Sequence, residues 1–198
     1  MPTNEPPPDQ PAAPTSVRRL RRPERREQLL AAATQAFAQA GFAATSLDHI
    51  AAAAGISRVL LYRHFDSKTD LYRAVLDRAI GRLTAAVGTG DYTWASIDAL
   101  LGAAAEDPDG FRLLFHHAAR EPEFRQQMDR FRNGMVATAR RELARVIGDR
   151  AWVQWAAQLA PVVAIEAVMA WLDAGQPDPD QAADRIRQAL AGVISAAQ

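Results

Sequence analysis

The stretch GISRVLLYRHF, Gly55 to Phe65, puts apolar groups and a guanidinium at spacings that a short helix cannot bury on one side. At about 100° per residue, Leu61 and Phe65 share one face, while Val59 and Arg63 share the opposite face with Leu60 and Tyr62 flanking them. A guanidinium beside unburied methyl groups can pair with an anion and touch apolar groups, which is recognition chemistry rather than bond-breaking. The charge around it names the kind of partner. Between Val17 and Arg73, ten cations (Arg18, Arg19, Arg21, Arg22, Arg25, Arg26, Arg58, Arg63, Lys68, Arg73) stand against five acids (Glu24, Glu27, Asp48, Asp66, Asp70), in a chain whose formal net charge is zero. Such an asymmetry assigns contact with a polyanion to the N-terminal part alone.

Little else in the chain could react. There is no cysteine, which removes disulfides, thiolate catalysis and Cys-ligated metals and fits a reducing cytoplasm. His116 and His117 diverge by about 100° on a helix and have no HxxxH or HxxE partner, so no metal is expected there. No nucleophile–base set, phosphate loop or metal set is present, so neither catalysis nor a cofactor is expected. The Arg pairs before EQLLAAATQAFAQAGFAA do not make an export signal, because Glu27, Gln28, Gln35 and Gln39 interrupt its apolar core. Ala151 to Leu172 has the length of a membrane span. Gln154, Gln158 and Glu166 lie inside it, however, and a central acid costs roughly 2.5–3.5 kcal/mol; a buried helix without membrane contact is expected.

The elements that must position the Gly55–Phe65 stretch are helical. Residues 1–16, rich in proline, read as a disordered tail. Leu29, Ala33 and Phe37 recur at four-residue steps and predict a helix over 24–40 that Gly41 ends. Ser46 caps a very short helix that buries Leu47, Ile50 and Ala51 and stops at Gly55. Ser57 caps the next, and Ser67 with Asp70 resembles a capping box for a long helix to about Val87. Two short helices joined by a glycine turn, then a long one, is the order of a helix-turn-helix followed by a connecting helix. Five more helices are predicted over 92–105, 108–119, 121–147, 150–173 and 179–196. Pro108, Pro122 and Pro179 sit in first turns, and Pro161 should kink the helix it lies in. The expected fold is all-α with about nine helices and no strand, divided into 17–66 (helix-turn-helix with a basic N-terminal arm) and 67–198.

The segment REQLLAAATQAFAQAGFAATSLDHIAAAAGISRVLLYRHFDSKTDLYRAVL, Arg26 to Leu76, strongly resembles the DNA-binding domain of the tetracycline-repressor (TetR) family. The resemblance rests on Phe37, Gly41-Phe42, Ser46, Ile50-Ala51, Ala54-Gly55, Ser57, Leu61 to Phe65, Lys68 and Leu71. It implies a regulator that binds a double-stranded DNA operator as a homodimer, most simply a repressor released by a small, apolar effector. It also implies that Leu61 and Phe65 face the domain core and that the opposite face of the third helix enters the major groove. There Val59 and Leu60 suit thymine methyl groups and Arg63 a guanine edge or a phosphate, with Arg58 a weaker candidate. The alternative is that Val59 and Leu60 pack on a neighbouring helix. Ser46, Tyr62, His64 and Lys68 resemble phosphate contacts, with Ser57 and Ser67 freeing helix N-terminal amides; for His64 a structural hydrogen bond is an equal reading. Residues Val17–Arg26 are either an arm on the DNA or a solvated helix end.

The same resemblance makes the C-terminal helices a ligand-binding and dimerisation domain. All four Trp lie in it. Most of its aromatic residues are expected to be core, with Trp94, Phe111, Phe115, Phe131, Trp152 and Trp155 the candidates to line an apolar pocket. His116 is a candidate for holding a polar group of the ligand, and Glu166 is either a pocket acid or a paired interface carboxylate. Val162, Val163, Ala167, Ala170, Ile186, Leu190, Val193 and Ile194 resemble the dimer-forming helix pair, or else serve the monomer core.

Overall fold

The computed structural model describes residues 21–88 and 90–198; the expected proline-rich tail, and Arg18 and Arg19 of the basic arm, fall outside the described residues. Among the described residues the chain is helical throughout and contains no strand: α1 (Arg22–Ala44), α2 (Leu47–Ala53), α3 (Arg58–Tyr62), α4 (Lys68–Val87), α5 (Ala95–Glu106), α6 (Pro108–Arg112), α7 (Arg125–Leu143), α8 (Arg150–Asp173) and α9 (Pro179–Ala196).

Local chemistry accounts for most boundaries. The Arg21 amide donates to Glu24 at 2.8 Å, which opens α1. Gly41 breaks α1 with φ 74° and ψ 174°, a backbone that L side chains rarely adopt, and only a short stretch to Ala44 follows. Ser46, Ser57 and Ser67 each accept an amide three residues on, at 3.1, 3.3 and 3.0 Å. The Asp70 carboxylate reaches back to the Asp66 amide rather than to that of Ser67, so the expected capping box is shifted by one residue. α8 and α9 occupy the ranges their periodicity predicts. The expected helix over 108–119 is instead the short α6, a π-helical turn Leu113–His117 and a 3₁₀ turn Ala118–Arg120. The widened turn sets Leu113, Leu114 and Ala118 all inside the core. Pro122–Phe124 forms a further 3₁₀ turn before α7. α8 is long and apolar enough to cross a membrane, yet it packs on α5, α7 and α9 and buries Val153, Ala156, Ala157, Ala164 and Val168.

One apolar core runs from Leu29 in α1 to Leu190 in α9. Where a domain boundary is expected at 66/67, Tyr72 of α4 packs edge-on against Phe37 and Phe42 of α1, with ring centroids 4.8 and 5.0 Å apart, and lies 4.4 Å from Phe124. A partly buried ion network reinforces this joint. Arg78 and Arg82 of α4 both donate to Glu27 of α1 at 2.7 Å and reach Asp107 at the head of α6 at 3.4 and 3.5 Å. A second, smaller cluster, including Leu143, Ile147 and Val153, joins α7 to α8.

Candidate nucleic-acid interface and internal cavity

α2 and α3 meet at a tight turn in which Gly55 has φ +65° and the Ile56 amide donates to the Ala51 carbonyl at 3.0 Å. Bonds from the His64 and Phe65 amides to the Leu61 carbonyl carry the helical path past α3 to Phe65. Leu61 and Phe65 are buried, as their spacing requires, whereas Val59 is 67% exposed. Arg63 and Tyr62 are exposed beside Val59, and Leu60 is half-buried. Among the described residues Arg63 has no carboxylate within salt-bridge distance, so its guanidinium is available to an external acceptor. Arg58 is engaged differently. It donates to Asp48 of α2 at 2.9 Å and to the Tyr62 hydroxyl at 3.4 Å, and Tyr62 and then Asp48 hold it in its charged form. Arg58 thus braces α2 against α3.

Lys68 departs from the expectation that it contacts phosphate. Its ammonium donates to the carbonyls of Phe42, Ala43 and Thr45 at 2.8, 3.2 and 3.1 Å and lies 4.5 Å from the Phe42 ring centroid. All three of its donors serve the frayed end of α1. Ser46 and Ser57 are exposed caps of α2 and α3. His64 is half-buried; burial first, then Arg22, Arg26 and Arg25, push its proton affinity below the ordinary imidazole value. The first turns of α1 therefore stand beside the end of α3, and Arg26 lies 5.0 Å from the Phe65 ring centroid. Sequence reasoning passed over Asp48, which pins Arg58, and Gln28, whose amide donates to the Ala54 carbonyl at 3.0 Å. Neither carries a periodic or capping signal that would mark it.

A cavity of about 450 Å³ opens among α4, α5, α7, α8 and α9. Of the residues named as pocket candidates, Trp94, Phe115 and Phe131 line it. The other pocket candidates do not: Phe111 is buried in the core, and His116 lies on the π turn outside the cavity wall. On α8, Val153, Ala156 and Ala157 point inward, so Trp152 and Trp155 face outward and pack on each other with centroids 5.8 Å apart. Glu166 is exposed and borders a separate groove of about 270 Å³ between α7 and α8. The residues missed include Leu83 and Val87 of α4, Ile97 and Leu100 of α5, Ala164 of α8, and Met135 and Glu142 of α7. The signal was present in α7, where Phe131, Met135, Ala139 and Glu142 fall on one face.

The candidate dimer residues divide by burial. Val162, at 53%, and Ala170 are exposed on α8, while Val163, Ala167, Val193 and Ile194 are half-buried. Ile186 and Leu190 are buried within the chain, and Leu190 and Ile194 border the cavity, so these serve the monomer core. Trp155, Gln158, Val162, Glu166 and Ala170 form the outward stripe of α8.

Residues 29–75 match the family model of bacterial regulatory proteins, tetR family. The HTH-type transcriptional activator FasR of Mycolicibacterium smegmatis is 39% identical over 107 residues, 50% of this chain and 49% of that protein. The HTH-type transcriptional repressor KstR2 of Rhodococcus jostii is 38% identical over 89 residues, 43% of this chain and 44% of that protein. The chain thus spans about half the length of the curated relatives it matches. Over nearly the whole chain the fold is that of a TetR-like transcriptional regulator from Rhodococcus sp. RHA1, with a TM-score of 0.74, 24% identity, and 91% of this chain and 100% of that one covered.

Proposed function

We propose that the chain, whose residues 29–75 match the tetR family of bacterial regulatory proteins, is a cytoplasmic, ligand-responsive repressor of transcription that binds a palindromic DNA operator as a homodimer. The observation that carries the reading is the outward face of α3: an exposed Val59 and an exposed Arg63, without an ion-pair partner among the described residues, on a helix whose other side, Leu61 and Phe65, is locked into the core. Val59 meets a thymine methyl group and Arg63 a guanine edge or a phosphate. Ser46, Tyr62 and His64 surround this face and set the register on the phosphate backbone. The outward stripe of α8 joins the two copies. Their α3 helices must then lie about 34–36 Å apart to enter successive major grooves. An apolar effector in the cavity presses on Leu83 and Val87 at the far end of α4, and a small tilt of that helix disfavours the DNA-bound spacing.

The test is to select a duplex from a random pool with the full-length protein and compare it with its scrambled counterpart at two salt concentrations, with Arg63→Ala alongside. The expected result is a palindrome preferred by at least about tenfold, a preference that Arg63→Ala abolishes, and affinity that falls steeply with salt. Enrichment of no sequence, or an Arg63→Ala variant that keeps the preference, overturns the assignment of readout to α3.

A further inference from the structure

The cavity is lined mostly by apolar side chains, and the charged residues in its wall are Glu142 and Arg145. Phe131, Met135 and Ala139 of α7 line its apolar run, and Glu142 lies on the same face of the helix, roughly 16 Å along the axis from Phe131. Glu142 is an unusual choice for this place. Its side chain is only 16% exposed, and it sits in the last turn of α7, where the helix dipole disfavours an acid and Arg140 and Arg141 are the favourable residues. One carboxylate oxygen, Oε2, accepts from Arg145, whose second nitrogen is drawn 3.6 Å away toward Asp91. The other, Oε1, is buried with no hydrogen-bond partner among the described residues. A buried carboxylate oxygen without a donor is destabilising, and any donor brought to it recovers that loss.

Resting on the reading of this cavity as the effector site, we propose that the effector is an elongated apolar molecule ending in a hydrogen-bond donor, a protonated amine or a hydroxyl, which the Glu142 carboxylate receives by turning Oε1 toward the cavity. Phe115 and Phe131 at the opposite end take the apolar terminus. A ligand ending in a carboxylate meets the like charge of Glu142, and Arg145 can serve it only by leaving Glu142 and Asp91. Glu142 is thereby the residue that selects the head group, while the apolar walls measure the chain.

The probes are three straight chains of equal length that differ only at one end: dodecylamine, dodecanol and dodecanoate, each below its micellar concentration. Calorimetry on the full-length protein measures the three affinities, and release of bound operator reports their effect. The amine and the alcohol are expected to bind about tenfold or more tightly than the carboxylate. Glu142→Gln removes the charge and abolishes the preference for the amine over the carboxylate. Arg145→Ala, which leaves both Glu142 oxygens unpaired, strengthens the amine further and keeps the test decisive should the first variant fold poorly. A carboxylate that binds tightest, or an order unchanged in Glu142→Gln, overturns the assignment of Glu142. Binding indifferent to the head group overturns this inference but leaves the cavity as the effector site. Failure of all three chains to bind a protein that still holds its operator overturns both.

Discussion

Replacing Lys68 with methionine separates a structural role from a DNA contact at a single position. In the folded chain the ammonium donates to three carbonyls at the end of α1 and sits over the Phe42 ring. Hydrogen bonds to a charged group contribute about 1.5–3 kcal/mol each at best. The Ala43 carbonyl is exposed and rehydrates once the ammonium is gone, so the sum falls well short of three full bonds. A loss of about 2–3 kcal/mol is therefore expected, carried mainly by the Phe42 and Thr45 carbonyls. For a chain of this size that lowers Tm by roughly 5–10 °C. A phosphate contact behaves otherwise: its removal takes about 0.9 from the slope of log affinity against log salt and leaves the free protein's stability nearly unchanged. Thermal denaturation of the free protein and salt titration of the operator complex measure the two quantities. Lys68→Met is expected to lower Tm and keep the salt slope. An unchanged Tm with a slope reduced by about one would refute the structural assignment.

Tyr72 lies among Phe37, Phe42 and Phe124 with its hydroxyl buried and without a partner among the described residues, and burial, then Glu121, raise its phenol well above the ordinary range. Tyr72→Phe removes an unmet polar group, so urea denaturation should show a stability raised by about 1 kcal/mol; a loss of that size would mean the hydroxyl has a partner. His64 has a proton affinity lowered in the free protein, so below its ordinary value of 6.5 the unfolded chain binds the proton more readily and this group contributes a loss of stability as the pH falls. A phosphate beside it favours the imidazolium, so operator binding takes up a proton and strengthens from pH 8 toward 6. Fluorescence titration across that range should show this trend in the native protein and its loss in His64→Gln; identical pH profiles would remove His64 from the interface.

What could be read from the sequence was whatever local rules decide. Ser46, Ser57 and Ser67 cap their helices because a short hydroxyl reaches the amide three residues on wherever the chain leaves an extended conformation. The two faces of α3 follow from 100° per residue alone. The π turn at Leu113–His117 was not legible, because only packing against α1 favours a turn with poorer hydrogen bonds. Trp152 and Trp155 were misplaced for a related reason. In α8 only the sparse polar residues Gln154, Gln158 and Glu166 mark the outward face, and the small residues Ala156 and Ala157, rather than the two Trp, made the close approach. Lys68 carries the same lesson at the interface: a basic residue next to a reading head is ambiguous until its donors are counted.

How a cavity near one end of α4 can act on a reading head near the other is answered by what joins α1 to that helix. Leu83 and Val87 line the cavity, and Lys68 grips the end of α1 roughly 25 Å away along α4. Between them, Tyr72 is embedded in the rings of Phe37 and Phe42, and Arg78, with a side chain only 11% exposed, is held by Glu27 and Asp107. Asp107 also accepts the Gly110 amide at 3.0 Å, so close that a β-carbon at Gly110 would meet the carboxylate at 2.7 Å. Pulling one member from such a network strands a partly buried charge, and sliding α4 past α1 would open a close-packed aromatic contact. Bending at 66/67 would require both. Moving α4 with α1 attached requires neither, so in the proposed homodimer a displacement at Leu83 and Val87 would reach α3 as a rotation of the whole reading head and would change the separation of the two α3 helices without altering the face that either one presents.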